Sequence, residues 1–302
     1  MIYTLTLSPS IDLFITSENF DLKKVNRYGE FEFLPGGKGL NASVVLKRHG
    51  FDNKAITFFD SQTFDMFQKD TFSKEKLDVL NIVTEQKTRI NIKYYGKTTD
   101  FELNGPKTLI NADKENKLFK ELDKITKDDV LMLMGKADEE LLLRILEFVS
   151  SKNIKVVLDI ESSNFINFLQ FKPFLIKPNI DELKMIFASL SDSVHDIKHS
   201  MQQLQNLGAE NVIVSNGEKG AYLLDSKQNF YSLKINQKVD LVSATGAGDT
   251  MISIFAASYL KNNNSENAFL LAGAASMATV TSKWLANKKE TKKFLSNVFI
   301  QK

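Results

Sequence analysis

The residues best suited to chemistry lie in Val242-Ser243-Ala244-Thr245-Gly246-Ala247-Gly248-Asp249-Thr250, which closes an extended segment and opens an apolar helical run from Met251 to Leu260. Gly246, Ala247 and Gly248 leave the main-chain N–H groups clear for a ligand, at a helix N-terminus where the dipole favours negative charge. A carboxylate is out of place in a simple anion site, because it repels phosphate. Asp249 makes sense there if it takes a proton from a hydroxyl while the amides hold a phosphoryl group in transfer. The competing reading is structural: aspartate is a favoured helix N-cap, and glycines are common in strand-to-helix turns. Neither a Gly-x-x-x-x-Gly-Lys-Ser/Thr loop nor a complete dinucleotide fingerprint occurs, since Met251 stands where the third small residue of the latter would be.

A second anion-friendly corner is Pro35-Gly36-Gly37-Lys38-Gly39-Leu40-Asn41, just before a helix over Ala42 to His49. Lys38 supplies a point charge and Asn41 an amide that both donates and accepts. Its plainer alternative is a glycine turn with a chance lysine. Asp12 sits in an apolar stretch with Ile11, Leu13, Phe14 and Ile15. It is either a ligand for hydroxyl groups or an outward residue of an alternating strand, and local sequence favours the second.

These corners need elements to position them. The 302 residues carry 39 basic and 37 acidic side chains, an ordinary globular balance with no call for nucleic acid or an anionic membrane. There is no cysteine, hence no disulfide, thiolate nucleophile or zinc–thiolate site, and three scattered histidines make no metal cluster. His195 and His199 read as surface residues. The lysines at 288, 289, 292 and 293 read as a solvated helix face. Residues 2–8 alternate like a strand and lack a basic leader, and no apolar run is long enough for a membrane span. The expectation is a cytoplasmic protein.

Residues 88–95 and 100–103 alternate with period two around a turn at 96–99, and 31–34 alternate likewise. With residues 11–34 they predict a small exposed sheet separate from the main core, suited to a lid or a dimer surface. Residues 63–78 read as an amphipathic helix. Beyond Pro106, continuous apolar strands at 130–134, 156–159, 174–177 and 212–215 alternate with helices at 113–124, 138–151, 180–189 and 196–207. That rhythm predicts a parallel sheet covered on both faces, with ligands beyond the carboxyl ends of its strands. Asp159, Lys177-Pro178-Asn179 and Ser215-Asn216-Gly217 fall at those ends. Asn179 and Glu182, three apart at a helix start, either order a metal–water shell or form a capping pair. Residues 220–235 predict a hairpin and 266–281 a small-residue helix.

Taken together, the segments Pro35 to Ala42, Ala244 to Thr250 and Lys177 to Leu183 resemble the two signatures and the Asn-x-x-Glu segment of the ribokinase-like (PfkB) carbohydrate kinases. The resemblance runs from Met1 to about Phe294. It implies a single α/β domain over 1–302, a three-layer sandwich with a mainly parallel central sheet and a β-sheet lid from about 11–34 and 88–104. The phosphosugar branch, which includes 1-phosphofructokinase and tagatose-6-phosphate kinase, is the most similar. The opening Met1 to Asp12 looks like that branch, and Thr88 to Lys93, Glu102 to Pro106 and Lys172 to Asn179 look more like its 1-phosphofructokinases.

The resemblance implies ATP and Mg²⁺, phosphorylation of fructose 1-phosphate at C6, and a homodimer through the lid. By position, Asp249 would be the general base and Gly246, Ala247 and Gly248 the anion hole. Asp12 and Asn41 would hold sugar hydroxyls, with Gly37 close to the substrate. Arg27, Lys38 and Arg89 would neutralise the phosphate already on the sugar. Lys177, Asn179, Ser215 and Gly217 would face the nucleotide, and Asn179 and Glu182 would order Mg²⁺. The cationic trio has its own logic, since two phosphorylated molecules in one cleft need fixed positive charge; singly, Arg27 and Arg89 read as solvated strand charges. One departure stands out: the branch's Gly-Ser-Leu-Pro loop is here Gly135-Lys136-Ala137-Asp138. Either Lys136 replaces the lost serine contact with a charge, or the site is weakened. Tagatose-6-phosphate kinase and a catalytically weakened binding protein are the alternatives.

Overall fold

The computed structural model describes residues 1–302 except Asn19, Thr98, Ser189, Leu190, Asp192 and Lys238. The chain opens with β1 (Ile2–Thr6), β2 (Ser10–Ser17), β3 (Glu30–Gly36), α1 (Lys38–Arg48) and β4 (Asn53–Thr57). Next come α2 (Ser61–Phe67), one π-helical turn at Gln68–Phe72, α3 (Ser73–Glu75), β5 (Asp78–Asn81), β6 (Arg89–Gly96) and β7 (Asp100–Leu103). The middle runs α4 (Ala112–Leu122), β8 (Val130–Gly135), α5 (Glu139–Ser151), β9 (Lys155–Ile160), β10 (Leu175–Ile176), α6 (Ile180–Ile186), α7 (Val194–Asn206) and β11 (Asn211–Ser215). Last are β12 (Ala221–Leu224), β13 (Phe230–Ile235), α8 (Ala247–Asn262), α9 (Ser265–Val280), α10 (Lys288–Phe294) and β14 (Val298–Gln301).

Among the described residues ten strands form one sheet, in the order β14-β13-β12-β11-β10-β9-β8-β1-β4-β5. The strands from β5 to β11 pair in parallel and the other three are antiparallel. Because side chains alternate along a strand, a sheet buried on both sides needs apolar residues at every position. Strand β8 shows this: Leu131 and Leu133 join the core under α4, α5 and α7, while Val130, Met132 and Met134 join the core under α1, α8 and α9. The three layers follow from that division.

The second sheet has the order β3-β2-β6-β7, with β2 and β6 parallel and the outer pairs antiparallel. The predicted turn of its β6–β7 hairpin includes Thr98, and the predicted helix 180–189 includes Ser189; both lie outside the described residues. The segment read as one helix over 63–78 is instead α2, the π turn and α3, and it ends in β5 at Asp78. The exposed His195 and His199 and the exposed lysines of α10 are surface features, as read.

Candidate active site

The N-cap of helix α8 is Gly246, whose φ of 78° a side chain would strain and whose absent Cβ leaves room for Leu285, 2.4 Å from where it would stand. Among the described residues no side chain caps this terminus, and the Ala247 amide turns back to the Ala244 carbonyl at 3.3 Å. The following amides, those of Gly248 and Asp249, have no intrahelical acceptor. Asp249 is therefore not the N-cap. It is the third helical residue, its side chain is buried, and one oxygen accepts a 2.8 Å hydrogen bond from Asn41 Nδ2. Burial pushes its pKa up to about 6, against the pull of Lys38.

Asn41 comes from α1, which begins at Lys38. A lysine at the positive end of a helix is locally unfavourable, so its position needs other charges. They come from the end of β9. Lys38 Nζ lies 3.2 Å from Asp159 Oδ1 and 3.7 Å from Glu161 Oε1, and Lys177 Nζ, just past β10, lies 3.8 Å from Asp159 Oδ2. Burial weakens the Lys38 ammonium, but Asp159, Asp249 and Glu161 outweigh it and hold its pKa above the ordinary value. Burial likewise opposes the Asp159 carboxylate, yet Lys177 and Lys38 hold its pKa below the usual range. Lys177 Nζ is also 3.0 Å from the point a Cβ on Gly248 would occupy, so it borders the first turn of α8. Asp159 was legible as the charged end of an apolar strand; Glu161 carried no signal of its own.

The lid sheet supplies a second group. Local sequence favoured an outward Asp12, but the structure buries it: at the root of β2 its carboxylate fills the space beside the Cβ-less Gly36, against Ser10 and Asn91. Asp12 Oδ1 accepts from Ser10 Oγ at 2.7 Å and from Asn91 Nδ2 at 3.0 Å. Burial raises its pKa, opposed by Lys93 and these hydrogen bonds. Arg89 donates to the carbonyls of Ser8 (2.9 Å), Gly105 (3.3 Å) and Pro9 (3.4 Å), so it braces the base of the lid. Asn91 accepts from the Gly105 amide at 3.1 Å, on the segment that leaves the lid. Ser10 and Asn91 escaped sequence reasoning because their partnership depends on the parallel pairing of β2 with β6.

Gly37 caps α1 where β3 ends, within the same corner as Lys38. Two predicted residues stand apart. Arg27 is exposed in an open concavity of about 600 Å³ with Thr16, Glu18, Tyr28 and Lys97, and Lys136 is exposed just past β8. Among the described residues neither has a hydrogen bond or ion pair to the Asp249 cluster. A cavity of about 460 Å³ lies between the lid and the approach to α8, lined by Phe14, Tyr95, Val242, Ser243 and Lys283 among others.

On the other side of Lys177, Asn179 pairs with Ser215, and Gly217 follows with a φ of 53°. Asn179 Oδ1 accepts from the Glu182 amide and Glu182 Oε2 from the Asn179 amide, both at 2.8 Å, a full capping box. No three acidic or histidine side chains converge on a metal position among the described residues. This donor set fits Mg²⁺ held through its water shell, with the second Glu182 oxygen left over from the cap, as a strongly hydrated cation prefers.

The sequence profile described as pfkB family carbohydrate kinase matches residues 4–292. The chain belongs to that family. It is 32% identical over 303 residues to a protein of Bacillus subtilis named 1-phosphofructokinase, covering 99% of this chain and 98% of that one. It is 30% identical over 305 residues to a D-tagatose-1-phosphate kinase of Bacillus licheniformis, covering 99% of both. The structure of phosphofructokinase-2 from Escherichia coli superimposes with a TM-score of 0.92 over 98% of both chains, at 24% identity. The pfkB kinase fold, a ribokinase-like sandwich with a mostly parallel sheet and a small second sheet, is thus the fold of this chain.

Proposed function

We propose that this ATP-dependent sugar-phosphate kinase transfers the γ-phosphoryl group of ATP to the C6 hydroxyl of fructose 1-phosphate, giving fructose 1,6-bisphosphate and ADP. The observation that carries the reading is the buried Asp249 carboxylate, held by Asn41 at the uncapped start of α8 with a pKa of about 6. Such a group is ionised at neutral pH yet close enough to it to accept a proton readily. Asp249 takes the C6 hydroxyl proton as that oxygen attacks the γ-phosphorus in line. The amides of the Gly246–Asp249 turn, with Lys38 and Lys177, stabilise the charge on the equatorial oxygens. Asp12 and Asn41 bind sugar hydroxyls, and Arg89 favours the 1-phosphate. When bound with ATP, Mg²⁺ would supply further neutralisation of the phosphates, its water shell ordered by Asn179 and Glu182. Lys177, Ser215 and Gly217 line the nucleotide side, the small sheet acts as the lid, and two chains pair through it.

The similarity to a D-tagatose-1-phosphate kinase supports a second reading, in which the ketose is tagatose, the C4 epimer. A coupled assay of ADP release decides between them, run with fructose 1-phosphate, tagatose 1-phosphate, tagatose 6-phosphate, fructose 6-phosphate and ribose. The proposal expects the highest kcat/KM with fructose 1-phosphate. A higher value for tagatose 1-phosphate installs the second reading, and no release with any of the five leaves a binding protein.

A further inference from the structure

The two lysines whose charges act on Asp249 are both anchored elsewhere. Lys38 Nζ rests on Asp159 Oδ1 at 3.2 Å, and Lys177 Nζ faces Asp159 Oδ2 at 3.8 Å. Asp159 is buried, and among the described residues its Oδ2 accepts no hydrogen bond. The partner on the Asp249 carboxylate is instead a neutral amide, from Asn41. A buried carboxylate in direct contact with an ammonium group becomes a weak base, because the pair resists protonation. Removing a shared counterion is the simplest way to create that contact here.

We propose that Asp159 is a positioning residue: its carboxylate holds the ammonium groups of Lys38 and Lys177 off Asp249, so that both stay available to a transferring phosphoryl group while Asp249 remains a free base. The inference rests on the phosphotransfer reading above. The groups facing Asp249 support it from each neighbouring element. Helix α1 presents Lys38 and Asn41, the end of β9 presents Asp159, and the segment after β10 presents Lys177. Helix α9 packs on the first turn of α8 through the Ser276 hydroxyl, which does not titrate and donates to the Ala247 carbonyl at 3.1 Å. Asp159 is thus the carboxylate both lysines share, with Glu161 touching Lys38 alone at 3.7 Å.

The test begins without ligands. Carbon-13 NMR of the side-chain carboxylates follows the titration of Asp249 in the free protein. In Asp159→Asn the apparent pKa of Asp249 is expected to fall by about one unit or more, through loss of a nearby negative charge and capture of a lysine. Adding Lys38→Met to that variant separates the two causes. If a freed lysine has moved onto Asp249, the double variant recovers much of the shift; if the pKa stays where Asp159→Asn put it, the proposal is overturned. In turnover, Asp159→Asn is expected to lower kcat about tenfold or more at pH 7.5 and to move the acid limb of its pH profile downward. A variant that loses only melting temperature, with the Asp249 titration and the acid limb unmoved, would reduce Asp159 to a structural role. Should Asp159→Asn not fold, Asp159→Glu keeps the charge but displaces it, and is expected to lower kcat with the acid limb near its original place; an unchanged kcat there counts against the proposal. A wild-type protein inactive on all sugar phosphates would sink the kinase assignment alone, since the ligand-free titration still judges Asp159.

Discussion

A general base, the role proposed for Asp249, must be ionised to work, and this carboxyl is ionised only above a pKa that burial has raised from 3.8 to about 6. Activity is therefore expected to rise with pH through about 6 and to level off above pH 7, read as log kcat/KM for the sugar phosphate against pH. The sign for stability is opposite. Between the unfolded and folded pKa values the native state holds a proton the unfolded chain does not, so this group's contribution to stability is full at low pH and is lost as pH rises through 6. Asp249→Asn removes both effects: kcat is expected to fall about a thousandfold or more, while the melting temperature at pH 7.5 rises. A variant with normal turnover, or one with a lower melting temperature, would contradict the account. At this scale the sequence was legible where chemistry and glycine coincide, as at Lys38, Asn41 and Asp249. It was not legible at Asp12, where strand alternation pointed outward. Nor was it at Ser10 and Asn91, whose partners are set by pairing between distant strands, or at Glu161, whose partner Lys38 comes from helix α1.

Elements tie the lid to the catalytic turn. Tyr95, near the end of β6, places its hydroxyl 3.0 Å from Ser243 Oγ and 3.4 Å from Thr245 Oγ1, on the segment leading into α8. Thr245 Oγ1 in turn donates to Glu102 of β7 at 3.5 Å, and Glu102 pairs with Lys93 at 2.9 Å. In the proposed mechanism, closing the lid therefore engages the loop whose amides are assigned to the transferring phosphoryl group. Tyr95→Phe deletes these bonds while keeping the ring stacked near Phe14. With a hydrogen bond worth about 1 kcal/mol, KM for the sugar phosphate is expected to rise about fivefold with little change in kcat or melting temperature. An unchanged KM would detach Tyr95 from substrate closure. The period-two rhythm of residues 88–103 announced this hairpin. Its parallel docking beside β2, Ser10 opposite Arg89 through Ser17 opposite Gly96, could not be read locally, because no turn joins the two strands.

For the whole molecule, the telling feature is what the lid leaves uncovered. The core sheet was legible from its runs of apolar strands because both of its faces are buried; β3 is different. It is the edge strand of the lid, and its first four residues, Glu30 to Phe33, are exposed on both faces. Phe31 is 54% and Phe33 45% exposed, and the rings of Tyr28, Phe31 and Phe33 stack edge to face in a row. An apolar edge strand open to water invites pairing or aggregation unless something covers it. A second copy of the same lid would cover it with matching aromatic surface and satisfy the free strand edge. Sedimentation analysis is expected to give about twice the 34.2 kDa chain mass at micromolar concentration, and Phe31→Ser with Phe33→Ser to return the single-chain mass with the fold retained. A wild-type protein that sediments as one chain would leave the patch without this partner. If the paired lids also steady each other's closure, the double variant should raise KM for the sugar phosphate in the manner of Tyr95→Phe, linking the assembly to the site through the same four strands.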